Sequence, residues 1–353
     1  MISKYMTKKS AQWTPQPPSM PVSLRIAGWV VFALLIVSVP MFGTSSFVTD
    51  ASRVVGFTMS FIGLAVLVNQ LGLLSLGQGA ITGVGAVAAL HSVNDYGLPV
   101  STMPLAGLVA GGLVGALIAI PALRLPGAYL ALLTLSLAVA FPIVLRQIDG
   151  PLPVLLDGEF VPPGWTGIAP NDEHLWEYWV IVAWALVAIL LVRRLLAGPV
   201  GRAFIACRDQ PEAAASFGIP VRRTRLFGVA LSGALAGFGG GLLVIPTPFT
   251  DNNQFPDNLS IKMFALAMAT AGTRVLGAIP AAIFLIMLPV WLDDRGWVRD
   301  VELVGLLKSE GFIYALLLLG TSFLSRGRGA GALVERLFVK KPDQPRMRAD
   351  QAS

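Results

Sequence analysis

In a chain of 353 residues with one cysteine, Cys207, and two histidines, His91 and His174, the options for bond-making chemistry are few. A thiolate nucleophile needs a neighbouring base, and a zinc site needs several Cys or His ligands at short spacing. Neither pattern occurs, so no metal site is expected. No carboxylate pair and no nucleophile beside a base falls inside an apolar run, which counts against a membrane-embedded enzyme. The chain also lacks a G-x-x-x-x-G-K-[ST] loop, so it is not expected to hydrolyse ATP by that route. Residues 83–88, GVGAVA, match the spelling of a dinucleotide fingerprint, but no strand precedes them and no suitably placed acid follows. Asn258-Leu259-Ser260 spells a glycosylation sequon, which matters only in a host that glycosylates.

The residues with chemistry to offer are uncharged. The segment NQLGLLSLGQGAITGVGAVAAL, Asn69 to Leu90, gathers Asn69, Ser75, Gln78, Thr82 and several glycines between two apolar runs. Such a composition interrupts a helix, and the backbone groups it frees must face protein or a water-lined cavity, where a polar solute can be held. Asn69, Ser75, Gln78 and Thr134 are the candidate lining of that path. A packing kink, with Asn69 and Gln78 bonded to neighbouring backbone, accounts for the same residues equally well. Whether the segment spans or re-enters is open at this level.

The elements that must position these groups are set by composition. Charged residues make up 13% of the chain, against roughly 25% in an ordinary soluble domain, and the mean hydropathy is +0.71. So much apolar surface cannot be hidden behind so few charges, and the expected fold is all-α, a polytopic integral membrane protein. Apolar runs at 26–42, 54–74, 75–90, 103–123, 127–145, 178–192, 226–245, 261–273, 275–292 and 311–325 predict about ten transmembrane helices. The first run exceeds a signal-peptide core and reads as a retained span. The triplets Gly107, Gly111, Gly115 and Gly233, Gly237, Gly241 repeat every four residues, a small-xxx-small spacing expected to pack helices closely.

Charge orients the spans. With the N-terminus inside, ten crossings place 20 of the 26 Lys and Arg in the cytosol, while 15 of the 20 acids lie outside. That bias puts both termini in the cytosol (N-in/C-in) and explains the net charge of +6 by topology, without nucleic acid as a partner. The organisation is then a cytosolic tail over 1–25, a transmembrane domain over 26–325, and a cytosolic tail over 326–353. No predicted span carries Asp, Glu, Lys or Arg away from its ends, although ion-coupled transporters usually keep one at depth. A transporter without its own engine suggests a separate one.

The longest interior cytosolic loop, 193–225, has the makings of a lever. Pro211 suits a first helical position, Asp209 or Gln210 a cap, Ala213 to Ala215 a helix, and Gly218 followed by Pro220 a stop. A helix over 211–217 anchored between two spans can transmit force from a cytosolic partner, with Arg208 and Glu212 as charged contacts at its start. A solvated loop whose arginines only set topology is the plainer reading.

Four stretches carry a family resemblance across most of residues 54–340. They are GLLSLGQGAITGVGA, RLPGAYLALLTLSLA (Arg124 to Ala138), GRAFIACRDQPEAAASFGIPVRRTRLFGVALSGALAGFGGGLL (Gly201 to Leu243) and SRGRGAGALVERLF. Together they resemble the LivM-type permeases of branched-chain amino-acid ABC importers. The chain differs from that family's usual pattern at Gln78, commonly His, at Ile148 to Val154 and at Thr270 to Arg274, regions that shape the path.

The resemblance implies a permease subunit in the inner membrane of a prokaryote. Its partners are a second homologous permease, two cytosolic ATPase subunits that hold ATP and Mg, and an extracytoplasmic substrate-binding protein. It implies no cofactor in this chain, and it makes Glu212, Ala213, Ala214 and Gly218 the element that docks on the ATPase. The solute is expected to be a branched-chain or related amino acid, with urea or another small amide as the nearest alternative. An ion-coupled secondary transporter is the alternative of a different class.

Overall fold

The structure is a computed structural model and describes residues 36–41, 43–122, 127–149, 154–156, 172–247, 249–250, 254–270, 277–294, 314, 316 and 319. Among them, five helices are long and apolar enough to cross a membrane, and two shorter apolar helices follow. Helices occupy every expected run from 54 to 292. Of the first expected run, residues 36–41 are described and helical, of the last only 314, 316 and 319 are described, and the two terminal tails lie outside the described residues.

Helix α1 (Ser45–Ala65) is capped by Thr44, whose hydroxyl accepts from the Phe47 N–H at 3.4 Å. Its Ser52 and Thr58 hydroxyls donate to the carbonyls of Val48 and Val54, so these buried polar groups are satisfied within the helix itself. A π-helical turn, Val66–Gln70, ends the helix, and Gly72 turns the chain out at φ 68°. Residues 72–77 are non-helical, and α2 (Gln78–Asn94) begins at Gln78. The interruption expected within Asn69 to Leu90 is therefore present, as a break at 72–77.

The remaining helices are α3 (Met103–Ala122), α4 (Gly127–Asp149), α5 (Glu173–Ala197), α6 (Pro199–Asp209), α7 (Pro211–Ser216), α8 (Val221–Val244), α9 (Asp257–Thr270) and α10 (Ala278–Asp294). Two short strands, Val154–Leu155 and Phe249–Thr250, pair antiparallel with Val154 opposite Thr250. At 25 residues α5 is about 37 Å long, more than the bilayer core requires. The expected span of 178–192 lengthens at both ends, from Glu173 to Ala197, and past Val192 the long Arg193 and Arg194 side chains suit an interface as well as a helix.

The core centres on α8, which packs against α1, α2 and α3. Backbone meets backbone there. A Cβ at Gly111 would overlap the Gly233 carbonyl, one at Gly107 the Gly237 carbonyl, and one at Gly241 would sit 2.7 Å from the Met103 carbonyl. The two glycine triplets thus interlock face to face, as small-xxx-small spacing predicts. On its other sides α8 sets Gly240 against Thr82 of α2 and Gly239 against Gly56 and Ser60 of α1.

Candidate functional site

The break in the first helix pair creates the site. Where the chain leaves α1 and re-forms as α2, its polar residues turn toward the base of α8 and the start of α4. A pocket there is lined by Ser75, Gln78, Thr134 and Ser232 against apolar walls of Leu67, Ile81, Ile118, Leu130 and Val229. It has room for about one water molecule. No charged side chain lines it. Val229 lies eight residues into α8 from Val221, about 12 Å along the helix, so the pocket sits toward the helix end that carries α6 and α7.

Gln78 is 1% exposed and is the first residue of α2. Its Nε2 donates to the Ser60 carbonyl at 3.0 Å and reaches the Ser232 carbonyl at 3.5 Å. Two carbonyl partners fix which end of the amide is the NH2, leaving Oε1 buried without a hydrogen-bond partner. A free acceptor in a buried site is costly, which makes this atom a place for a solute N–H or a water. Gly63 makes the arrangement possible, since a Cβ there would lie 2.9 Å from Gln78 Nε2 and 2.6 Å from the Ser232 carbonyl.

Thr134 holds the broken chain in place. Its hydroxyl accepts from the Leu76 N–H at 2.9 Å and donates back to a carbonyl in its own helix, Ala131 at 3.0 Å or Leu130 at 3.1 Å. The Ser75 hydroxyl accepts from the Gly77 N–H at 3.4 Å. Nearby, Thr82 Oγ1 lies 3.0 Å from Ser60 Oγ, which donates to the Ala236 carbonyl at 3.3 Å, so a polar seam joins α1, α2 and α8.

Ser75, Gln78 and Thr134 are brought together at this pocket. Asn69 is not: it lies in the π-turn, and its backbone carbonyl accepts from Arg208 Nη1. Ser60 and Ser232 have no place among the sequence candidates. Their signal was a hydroxyl in an apolar helix, which also fits a serine bonded only within its own helix.

The segment 193–225 is more helical than its charges suggest. α5 runs to Ala197, and α6 buries Gly201, Phe204 and Cys207 at a three-residue spacing, with Phe204 against Phe227 of α8 at 6.2 Å between ring centroids. α7 starts with Pro211 at its first position and Gln210 at the cap, without a side-chain cap bond. It ends in a Schellman motif: Gly218 at φ 81°, the Gly218 N–H on the Ala215 carbonyl at 2.9 Å, and the Ile219 N–H on the Ala214 carbonyl at 3.0 Å. Ala214 faces inward and Ala213 is half-buried, whereas Glu212, Ala215 and Phe217 are exposed, Phe217 by 87%. Arg208 is exposed, its Nε donating to Asp209 Oδ1 at 2.8 Å and its Nη1 to the Asn69 carbonyl.

Comparison with known proteins agrees with this architecture. Residues 47–319 match the family described as branched-chain amino acid transport system, permease component. The chain is 29% identical to the high-affinity branched-chain amino acid transport system permease protein LivM of Escherichia coli K12 over 313 residues, covering 82% of this chain and 72% of that one. The LivM protein of Salmonella typhimurium is also 29% identical, over 314 residues, with the same shares covered. The autoinducer 2 import system permease protein LsrC of Yersinia enterocolitica is 27% identical over 256 residues, 66% of each chain. No solved structure matches the chain. With the family match spanning most of its length and helices apolar enough to cross a bilayer, this chain is a multi-pass membrane protein and belongs to the branched-chain amino acid permease family of ABC transporters.

Proposed function

We propose that this chain is the permease subunit of an ATP-driven importer of branched-chain or related amino acids, placed in the cytoplasmic membrane of a prokaryote. The observation that carries the reading is the uncharged pocket at the helix break, with a free acceptor at Gln78 Oε1 beside apolar walls. An amino acid with an aliphatic side chain offers what such a site can use: N–H donors for the acceptor and hydrocarbon for Leu67, Ile81, Ile118, Leu130 and Val229. At the size of about one water the pocket is closed to any such solute, so transport requires it to open.

The energy for opening comes from partner chains. A second homologous permease completes the path, an extracytoplasmic binding protein delivers the solute, and two cytosolic ATPases hold ATP and Mg. α7, with Glu212 and the exposed Phe217 at its C-cap outward, Ala213 half-buried and Ala214 inward, is the surface on which an ATPase docks, while its Schellman end keeps it rigid enough to pass on the push.

The test is purification of the chain from its native membranes with its co-purifying subunits, followed by uptake into vesicles. The expected result is ATP-dependent uptake of leucine, isoleucine or valine that survives collapse of the ion gradients. Uptake of urea in place of these moves the assignment to a small-amide permease. Uptake that persists without ATP and collapses with the ion gradient refutes the ATP-driven reading.

A further inference from the structure

We propose that Arg208 is a positioning residue that ties the coupling segment to the interrupted helix, so that motion of α6 and α7 reaches the closed pocket through it. The proposal rests on the reading of α7 as the ATPase docking surface.

The last carbonyls of a helix have no intrahelical donor, and at the end of α1 this vacancy is enlarged by the turn at Gly72. The Gly72 N–H bonds to the Val68 carbonyl at 3.2 Å and the Leu73 N–H to the Leu67 carbonyl at 3.1 Å, after which the chain departs. The donor for the Asn69 carbonyl is Arg208 Nη1, from an element 139 residues further along the chain. A cation at this position also suits the negative end of the helix dipole. The interrupted helix is therefore capped from outside, by a side chain of α6.

The cap is built into the backbone. The aliphatic stem of Arg208 crosses Gly72 so closely that a Cβ there would lie 2.7 Å from Arg208 Cγ, and the φ of 68° independently favours glycine. The bond from Arg208 Nε to Asp209 Oδ1 holds the guanidinium from its other side. One residue earlier, the Cys207 carbonyl accepts from Arg225 Nη2 at 3.3 Å, which anchors the same turn of α6 to the base of α8. The end of α6 is thus a pivot between the helix core and the broken segment. α7 follows it directly, and Ser75 and Gln78 lie six and nine residues beyond Asn69.

The test uses the complete importer in lipid vesicles. Arg208→Ala is expected to leave the ATPase bound and basal ATP hydrolysis within about twofold of the parent, while solute moved per ATP falls at least tenfold. Arg208→Lys, which keeps the charge and a donor, recovers at least a third of the parent ratio. Spin labels at the exposed positions 74 and 215 keep a constant separation in the parent with and without ATP, because the two segments move together. In Arg208→Ala that separation changes on ATP binding. Unchanged solute per ATP, or a label separation that behaves as in the parent, overturns the proposal. Loss of the ATPase from Arg208→Ala also overturns it, by making Arg208 a docking contact. If Arg208→Ala does not fold, Arg208→Gln takes its place, and failure of both assigns the residue to stability and ends the proposal. The docking reading fails separately, if Glu212→Arg and Phe217→Asp both leave ATPase binding at the parent level.

Discussion

Gln78, a lining residue of the pocket, does two things with one amide: its NH2 fastens α2 to the carbonyls of Ser60 and Ser232, and its oxygen is buried without a partner. Replacing Gln78 by Leu keeps the volume roughly but removes the acceptor and the tie. The expected cost to stability is about 1 kcal/mol, the net worth of an ordinary hydrogen bond, so the complex still assembles. Uptake is expected to fall about fivefold, since a lost hydrogen bond to the solute is also worth about 1 kcal/mol and each 1.4 kcal/mol is a factor of ten. Initial uptake rates normalised to assembled complex check this, and an unchanged rate for every candidate solute removes Gln78 from the path. Ser75, Gln78 and Thr134 were legible in the sequence because polar types inside apolar runs are few. Asn69 was legible as a special residue but not in its manner of acting, since its backbone carbonyl makes the contact and any residue type supplies one. Ser232 and Ser60 depended on partners far away in sequence, which spacing does not reveal.

The glycine triplets of α3 and α8 were readable as a packing face because a four-residue repeat places them on one side of a helix. Which partner they meet is a matter of three dimensions. The structure pairs them with each other, and the consequence is measurable. Gly111→Ala sets a methyl group into the Gly233 carbonyl and the Gly237 Cα, whereas Gly112→Ala meets only the Ala234 side chain first, at 3.3 Å. Gly111→Ala is expected to cost about 1–3 kcal/mol, with the helices forced apart, and Gly112→Ala distinctly less. Apparent melting temperatures of the two purified variants in the same detergent check the order; equal values contradict backbone contact at Gly111. α6 was not legible as a helix. Pro199 at its start was a signal, but Gly201 and the flanking arginines gave the stretch the composition of a solvated loop.

For the molecule as a whole, the distribution of charge predicts sides that helices alone do not. Arg202 and both termini are expected in the cytosol and Asp157 and Glu173 outside, on the excess of basic residues in the interior loops. Single cysteines at these positions, with Cys207 replaced by Ala, test it by labelling of intact cells. Reaction of an impermeant reagent at position 202, or its failure at 157 while internal controls react, inverts the assignment. The contact of Arg208 with the Asn69 carbonyl puts residue 208 and the end of α1 on one side, so labelling that places Arg202 in the cytosol is expected to place the end of α1 there too.

The seam between α3 and α8 has a further consequence for how such a machine moves. Carbonyls seated in glycine notches every four residues behave like teeth in a rack: a small slide drives an oxygen into a Cα, and the next notch is four residues away, about 6 Å. The pair is therefore indexed and cannot drift by fractions of a turn. Any stroke smaller than one tooth must be taken up by parts that carry no such teeth, and since α1 and α2 also meet α8 through Gly239 and Gly240, those parts lie outside the core of α1, α2, α3 and α8.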